Sequence, residues 1–205
     1  MPPNDWMKKY TGYLKDVEGS VIKKDTTSGE NKHVPYKDAA GYWTIGYGTR
    51  ISKAELGSSG KKEIYKGKTI WSDGKTFSES EAESALQTKA LSSLNQAERY
   101  AKDRGFDWGK ISDRQKHGLA DFMYNIGPGN MGSGQFKDTM KAYLSGENVV
   151  SSNDPNLSHK RGYYANGKRF ELKDRNKKWK QLFGGLPEDV AMGSMLQQDN
   201  PLGVR

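Results

Sequence analysis

Apolar residues recur along this chain in two rhythms, and the change of rhythm divides it. Trp6, Tyr10, Leu14 and Val17 are spaced four, four and three apart, which is one stripe of a helix. Asn4 or Asp5 can cap its start and Gly19 stops it, so the spacing predicts a helix over residues 5–18 with Glu18 as its last residue. From residue 20 to 51 apolar and polar positions alternate instead. Val34-Pro35-Tyr36 and Tyr42-Trp43-Thr44-Ile45 read as two strands joined at Asp38 to Gly41. A second strand pair is predicted at Glu63 to Tyr65 and Thr69 to Trp71, turning at Lys66-Gly67-Lys68. The helical rhythm returns at Ser78, which forms a capping-box pattern with Glu81. Ala82, Leu86, Leu94 and Ala97 carry the stripe onward, and the pattern runs to Lys102. A second capping-box pattern, Ser112 with Gln115, opens a stripe of Leu119, Phe122, Met123 and Ile126 that ends at Gly127. A Gly-rich turn follows over residues 128–134, then a short helix marked by Phe136, Met140 and Tyr143. Residues 147–170 read as turns. Leu172, Trp179, Leu182 and Phe183 mark a last helix, closed by Gly184-Gly185.

The order helix, strands, helices implies an α+β fold. A small β-rich lobe is expected over residues 20–75. A larger helical lobe is expected over 78–185 together with the N-terminal helix, and the long helix from Ser78 joins the two. One domain over 1–185 suits a chain of 205 residues. Residues 186–205 lack periodicity and are expected to be a flexible tail, or a linker into a longer protein.

Composition narrows the function. Aromatics make up 11% of the chain, which argues against disorder. The absence of cysteine excludes a disulfide framework and a thiolate nucleophile. Residues 1–5 lead into no apolar run, so no secretory signal is visible, and no stretch reaches membrane-spanning length. The net charge of +8 draws the protein towards polyanions, either nucleic acid or a bacterial envelope. Lys and Arg are spread along the chain with no dedicated nucleic-acid arm, and charge alone does not choose between these partners and plain solubility. His33, His117 and His159 share no metal-ligand spacing and read as lone surface histidines; no cofactor is implied. Residues 127–132 lack the Lys-Ser/Thr ending of a phosphate loop.

Glu18 at a helix end, Asp38 at a hairpin turn and Thr44 on the next strand stand out, although among 25 acidic residues any given Glu–Asp pair is far more often solvated surface. Glycoside hydrolysis needs two carboxyl groups, one to protonate the leaving oxygen and one to activate water or attack carbon. By residue type alone, Asp38 is equally a turn former and Thr44 an ordinary strand residue. The run from Pro35 to Gly48 makes the match specific: Asp38, a Gly-aromatic step at Gly41-Tyr42, then Thr44-Ile45-Gly46-Tyr47-Gly48. It resembles the signature hairpin of phage-type lysozymes, glycoside hydrolase family 24. Glu18-Gly19 resembles that family's acid at the end of its first helix. Residues 78–85 resemble its connecting helix, and 111–127 the helix that lines its cleft.

This resemblance implies a lysozyme-like fold whose cleft lies between the lobes, and an inverting muramidase acting between N-acetylmuramic acid and N-acetylglucosamine. Glu18 would be the acid, and Asp38 with Thr44 would activate water. Gly46, Gly48, Tyr124 and Asn125 would line the glycan chain. Arg175, or failing that Arg169, would pair with the acid. The expected partner is peptidoglycan, with no nucleic acid; other virion proteins are further partners to consider, and the isolated domain is expected to be monomeric. The expected place is a phage particle or host cytoplasm, with action on the host wall. Nineteen residues separate Glu18 from Asp38, more than the family's usual spacing, and the surplus around Lys23 to His33 reads as a lengthened loop or hairpin. Glu30 lies nearer the usual spacing and is the alternative acid. Thr49 stands where many members have His. A lytic transglycosylase, a non-cleaving peptidoglycan-binding virion subunit and a nucleic-acid binder are the competing functions.

Overall fold

The computed structural model describes residues 5–25, 28–38, 41–58, 60–72, 74–131, 136–150, 160–165 and 168–184. The chain falls into two compact units, Met1–Ser92 with Gly162–Phe170, and Ser93–Arg161 with Glu171–Arg205.

The first unit opens with helix α1 (Asp5–Glu18), whose Tyr10, Tyr13 and Leu14 are buried. An inserted antiparallel hairpin follows, β1 (Ile22–Lys24) with β2 (Asn31–His33). Its base is closed twice. Val34 N–H donates to Val21 O at 2.9 Å, and His33 exchanges backbone hydrogen bonds with Phe77 at 2.8 and 3.0 Å. Next come β3 (Tyr36–Lys37), β4 (Trp43–Ile45), β5 (Thr49–Arg50), β6 (Lys61–Tyr65) and β7 (Lys68–Ser72). They form one antiparallel sheet in the order β5-β4-β3-β7-β6, with β3 in the middle. Alternation buries Val21, Val34, Tyr36 and Ile70 in one cluster and Trp43, Ile45, Ile51 and Leu56 in another.

Helix α2 (Glu79–Lys102) starts in this unit. Ser78 and Glu81 form the expected box: Ser78 N–H donates to Glu81 Oε2 at 2.8 Å and Glu81 N–H to Ser78 Oγ at 3.2 Å. The division places α1 with the sheet, whereas the sequence reading grouped it with the later helices. The cause is local: Lys15 on α1 pairs with Glu79 and Glu83 on α2, and Glu18 packs against the β4–β5 turn.

The second unit contains α3 (Asp113–Ile126), α4 (Pro128–Met131), α5 (Phe136–Leu144) and α6 (Lys173–Leu182). The predicted capping box of Ser112 and Gln115 opens α3, and Gly127 closes it. Trp179 anchors the core, edge-on to Phe122 with ring centres 5.3 Å apart and donating to Gly118 O at 3.0 Å. No helix of the described residues is long and apolar enough to cross a membrane.

The expected turn after Gly127 begins as the helix α4, because Pro128 suits a first helical position. The turn-rich stretch before the last helix holds two strands, β8 (Gly162–Ala165) and β9 (Lys168–Glu171), paired with each other. The histidines are not surface residues where they can be seen. His33 is 1% exposed and meets Glu79 Oε2 at 2.8 Å, while His117 is 3% exposed and donates from Nδ1 to Asp113 O at 2.6 Å. Burial holds the His117 imidazole below its ordinary range. His159, residues 132–135 and the tail 186–205 lie outside the described residues.

Candidate active site

Glu18 ends α1 because Gly19 follows it at φ +63, with Gly19 N–H returning to Lys15 O at 3.2 Å. The half-buried Glu18 side chain reaches the tight β4–β5 turn, Gly46-Tyr47-Gly48. A Cβ added at Gly48 would stand 2.7 Å from Glu18 Oε2 and 3.3 Å from its Cδ, so the carboxyl group lies on the bare α-carbon. Gly48 also sits at φ +84, where a side chain is strained in any case. Gly46 is buried, and a Cβ there would stand 3.1 Å from that of Ala82. These two glycines let the turn pack closely on α1 and α2.

Asp38 follows β3, and its two carboxylate oxygens do different things. Oδ1 accepts from Tyr42 N–H at 2.9 Å and closes the hairpin turn together with the Asp38 N–H to Tyr42 O bond, also 2.9 Å. Oδ2 faces Thr44 Oγ1 at 3.4 Å. The turn-forming and chemical readings of Asp38 are therefore compatible: one oxygen fixes the residue and the other meets the threonine. Thr44 is 3% exposed and lies opposite Tyr36 in the β3–β4 register. Residues opposite one another share a sheet face, and so do residues two apart on a strand. Tyr36, Asp38 and Thr44 accordingly share one face. The Tyr36 phenol is pushed up to about 12, first by burial and then by the negative charges of Glu18 and Asp38. Both carboxylates therefore act electrostatically on a single hydroxyl. Glu30 is exposed at the end of the inserted hairpin, with its carbonyl accepting from Asp25 N–H at 2.7 Å.

Thr49 on β5, the position where many family members carry His, pairs with Ile45, and the turn before it is anchored by another residue. Tyr47, between the two glycines, donates to Glu79 Oε1 at 2.6 Å, and His33 and Lys15 bind the same carboxylate. Hydrogen bonds from Tyr47, then from His33 and Lys15, pull Glu79 down to about 2 against the opposing pull of burial. This network secures the turn that carries Gly48 to the start of α2.

In the second unit Tyr124 is 7% exposed and Asn125 half-buried near the end of α3. Arg175, on the first turn of α6, is 6% exposed, with its guanidinium 5.5 Å over the Tyr124 ring. It forms an ion pair with Asp121, which also pairs with Arg161. Asp121 and Arg161 are both 0% exposed. Asn176 holds the Arg161 backbone from both sides, accepting from its N–H and donating to its carbonyl, each at 3.0 Å. Asp121 and Arg161 are not among the residues expected at the site from sequence. The signal was a charged residue set between Ala120 and Phe122 in an otherwise apolar stripe. The side chain of Arg169 lies outside the described residues. Among the described residues, no three acidic, His or Cys side chains come together as a metal site.

The first unit thus offers a carboxyl group at a helix end, and a carboxylate with a hydroxyl on a hairpin. That set suits proton donation and water activation. The family profile described as phage lysozyme matches residues 28–154, which include Asp38 and Thr44. No curated protein sequence matches the chain. Among solved structures, the endolysin from Escherichia coli O157:H7 phage FAHEc1 is similar at 19% identity and TM-score 0.55, over 88% of this chain and 95% of that one. The muramidase domain of SpmX from Asticaccaulis excentricus is similar at 18% identity and TM-score 0.52, over 86% of this chain and 95% of that one. These two likenesses concern the fold, which is lysozyme-like.

Proposed function

The chain belongs to the phage lysozyme family, glycoside hydrolases that act on the peptidoglycan of the cell wall, and we propose that Glu18 is its acid and that Asp38 with Thr44 prepares the attacking water. The observation that carries this assignment is the meeting of Asp38 Oδ2 and Thr44 Oγ1 on a hairpin whose neighbouring turn, at Gly48, holds the Glu18 carboxyl group. Glu18 gives its proton to the oxygen between N-acetylmuramic acid and N-acetylglucosamine. Asp38 takes a proton from a water that Thr44 orients, and that water attacks the anomeric carbon from the opposite face. Attack by water in one step inverts the configuration. Tyr124 and Asn125 are assigned to the glycan chain and Arg175 to support of the acid, in keeping with the family resemblance. Residues 1–185 are taken as the catalytic domain, serving phage lysis or wall penetration.

The test is digestion of purified peptidoglycan, followed by mass analysis of the fragments and proton NMR of the new reducing end. Hydrated reducing ends that first appear as the α anomer are expected. Anhydro-sugars would show a transglycosylase, and a first-formed β anomer would show a retaining route through a covalent intermediate.

The cradle at Gly48 gives a second expectation. Gly48→Ala adds a methyl group at φ +84 and against Glu18 Oε2. The backbone strain alone costs about 1–2 kcal/mol, and moving the acid should cut lysis by more than tenfold. Gly67→Ala is the control, since Gly67 has φ +76 with nothing within 4 Å of an added Cβ. It should lose comparable stability in thermal unfolding while retaining lysis. Equal losses of activity in the two variants would remove Gly48 from the site.

A further inference from the structure

We propose that the Tyr36 hydroxyl is a further group that touches substrate, donating a hydrogen bond to an oxygen of the sugar at the bond being cleaved. The inference rests on the muramidase reading above.

Tyr36 is held more firmly than its role in the core requires. Its ring packs with Val21, Val34 and Ile70, and Lys68 Nζ lies 4.4 Å over its face. Its strand is central in the sheet, paired to Thr44 on one side and Ile70 on the other. A phenylalanine would fill this place equally well. The hydroxyl, by contrast, has no hydrogen-bond partner among the described residues. The residue as a whole is only 4% exposed. A nearly buried tyrosine ordinarily satisfies its hydroxyl within the protein. Here the group is left open on the face that carries Asp38 and Thr44, within the electrostatic reach of Glu18 as well. With its phenol held near 12 the residue stays neutral wherever the enzyme works, and so remains a donor. A sugar supplies acceptor oxygens on every ring. Because β3 is paired on both sides, a bond from Tyr36 to an oxygen that moves or gains charge as the ring distorts would be stronger in the transition state than in the bound substrate.

The test compares the unaltered chain, Tyr36→Phe and Glu18→Gln on soluble oligomers of alternating N-acetylglucosamine and N-acetylmuramic acid. Thermal unfolding is measured on the same samples. For Tyr36→Phe, kcat is expected to fall on the order of tenfold to a hundredfold, the range in which loss of one transition-state donor begins to show. KM should stay within about twofold and both limbs of the pH–rate profile should remain in place, as for a group that neither binds substrate uniformly nor sets the acid and base. Unchanged kcat, a rise in KM alone, or a displaced limb would overturn the inference, the last by showing that the hydroxyl acts only on the carboxylates. Cleavage by the unaltered chain but not by Glu18→Gln keeps the muramidase reading standing whichever way Tyr36→Phe falls. An inactive unaltered chain would overturn both.

Discussion

Glu18→Gln should reduce peptidoglycan hydrolysis by a factor on the order of 10²–10⁴, the usual contribution of a positioned general acid, while leaving thermal stability unchanged or slightly raised. The amide keeps the shape of the side chain against Gly48 but carries no proton that it can donate to a leaving oxygen. Stability should not suffer because a negative charge on the last residue of α1 opposes the helix dipole, an interaction of about 0.3–1 kcal/mol that the substitution removes. Clearing of a wall suspension and a thermal melt measure the two effects. Near-normal lysis by Glu18→Gln together with inactivity of Glu30→Gln would transfer the role to Glu30, although that residue is exposed at the end of the inserted hairpin.

Asp121→Asn should produce the largest loss of stability, about 3–5 kcal/mol in urea unfolding, as when one partner of a buried charge pair is removed. The carboxylate faces two guanidinium groups, one on Arg161 that is wholly buried and one on Arg175 that is 6% exposed. Arg161 Nε and Nη2 are already buried without partners, so little remains to compensate its charge once Asp121 is neutral. The same cluster sets a pH dependence. Burial pushes the Asp121 carboxyl up, but the charges of Arg161 and Arg175 and their hydrogen bonds outweigh it and hold the group below its ordinary value. A depressed carboxylate stabilises the fold above its unfolded pKa, and that stability is lost as pH falls through the folded one. Asp121→Asn should therefore flatten the acid side of the stability curve. A loss under ~1 kcal/mol, with the acid side unaltered, would show that solvent compensates the arginines.

The parts of this molecule that the sequence disclosed are those governed by neighbours in the chain. Helices α1, α2 and α3 carry long stripes, and the capping boxes at Ser78 and Ser112 lie within four residues. Asp38 and Thr44 were legible because one hairpin brings them together. The strands β8 and β9 were missed because pairing, and no periodic pattern, makes them strands. His33 meets Glu79, 46 residues away, and Asp121 meets its arginines 40 and 54 residues on. No local rule connects such positions. Tyr36 was within reach, two residues before Asp38 on one strand face, but its open hydroxyl becomes visible only once the ring around it is packed.

The inserted hairpin β1–β2 has a consequence for how such a chain can evolve. Its base is clamped where Val34 meets Val21 and His33 meets Phe77, just before the chain enters β3. The path from Glu18 to Asp38 can then lengthen or shorten between generations without altering where either carboxyl group ends up. Spacing along the chain is thereby separated from spacing in the fold.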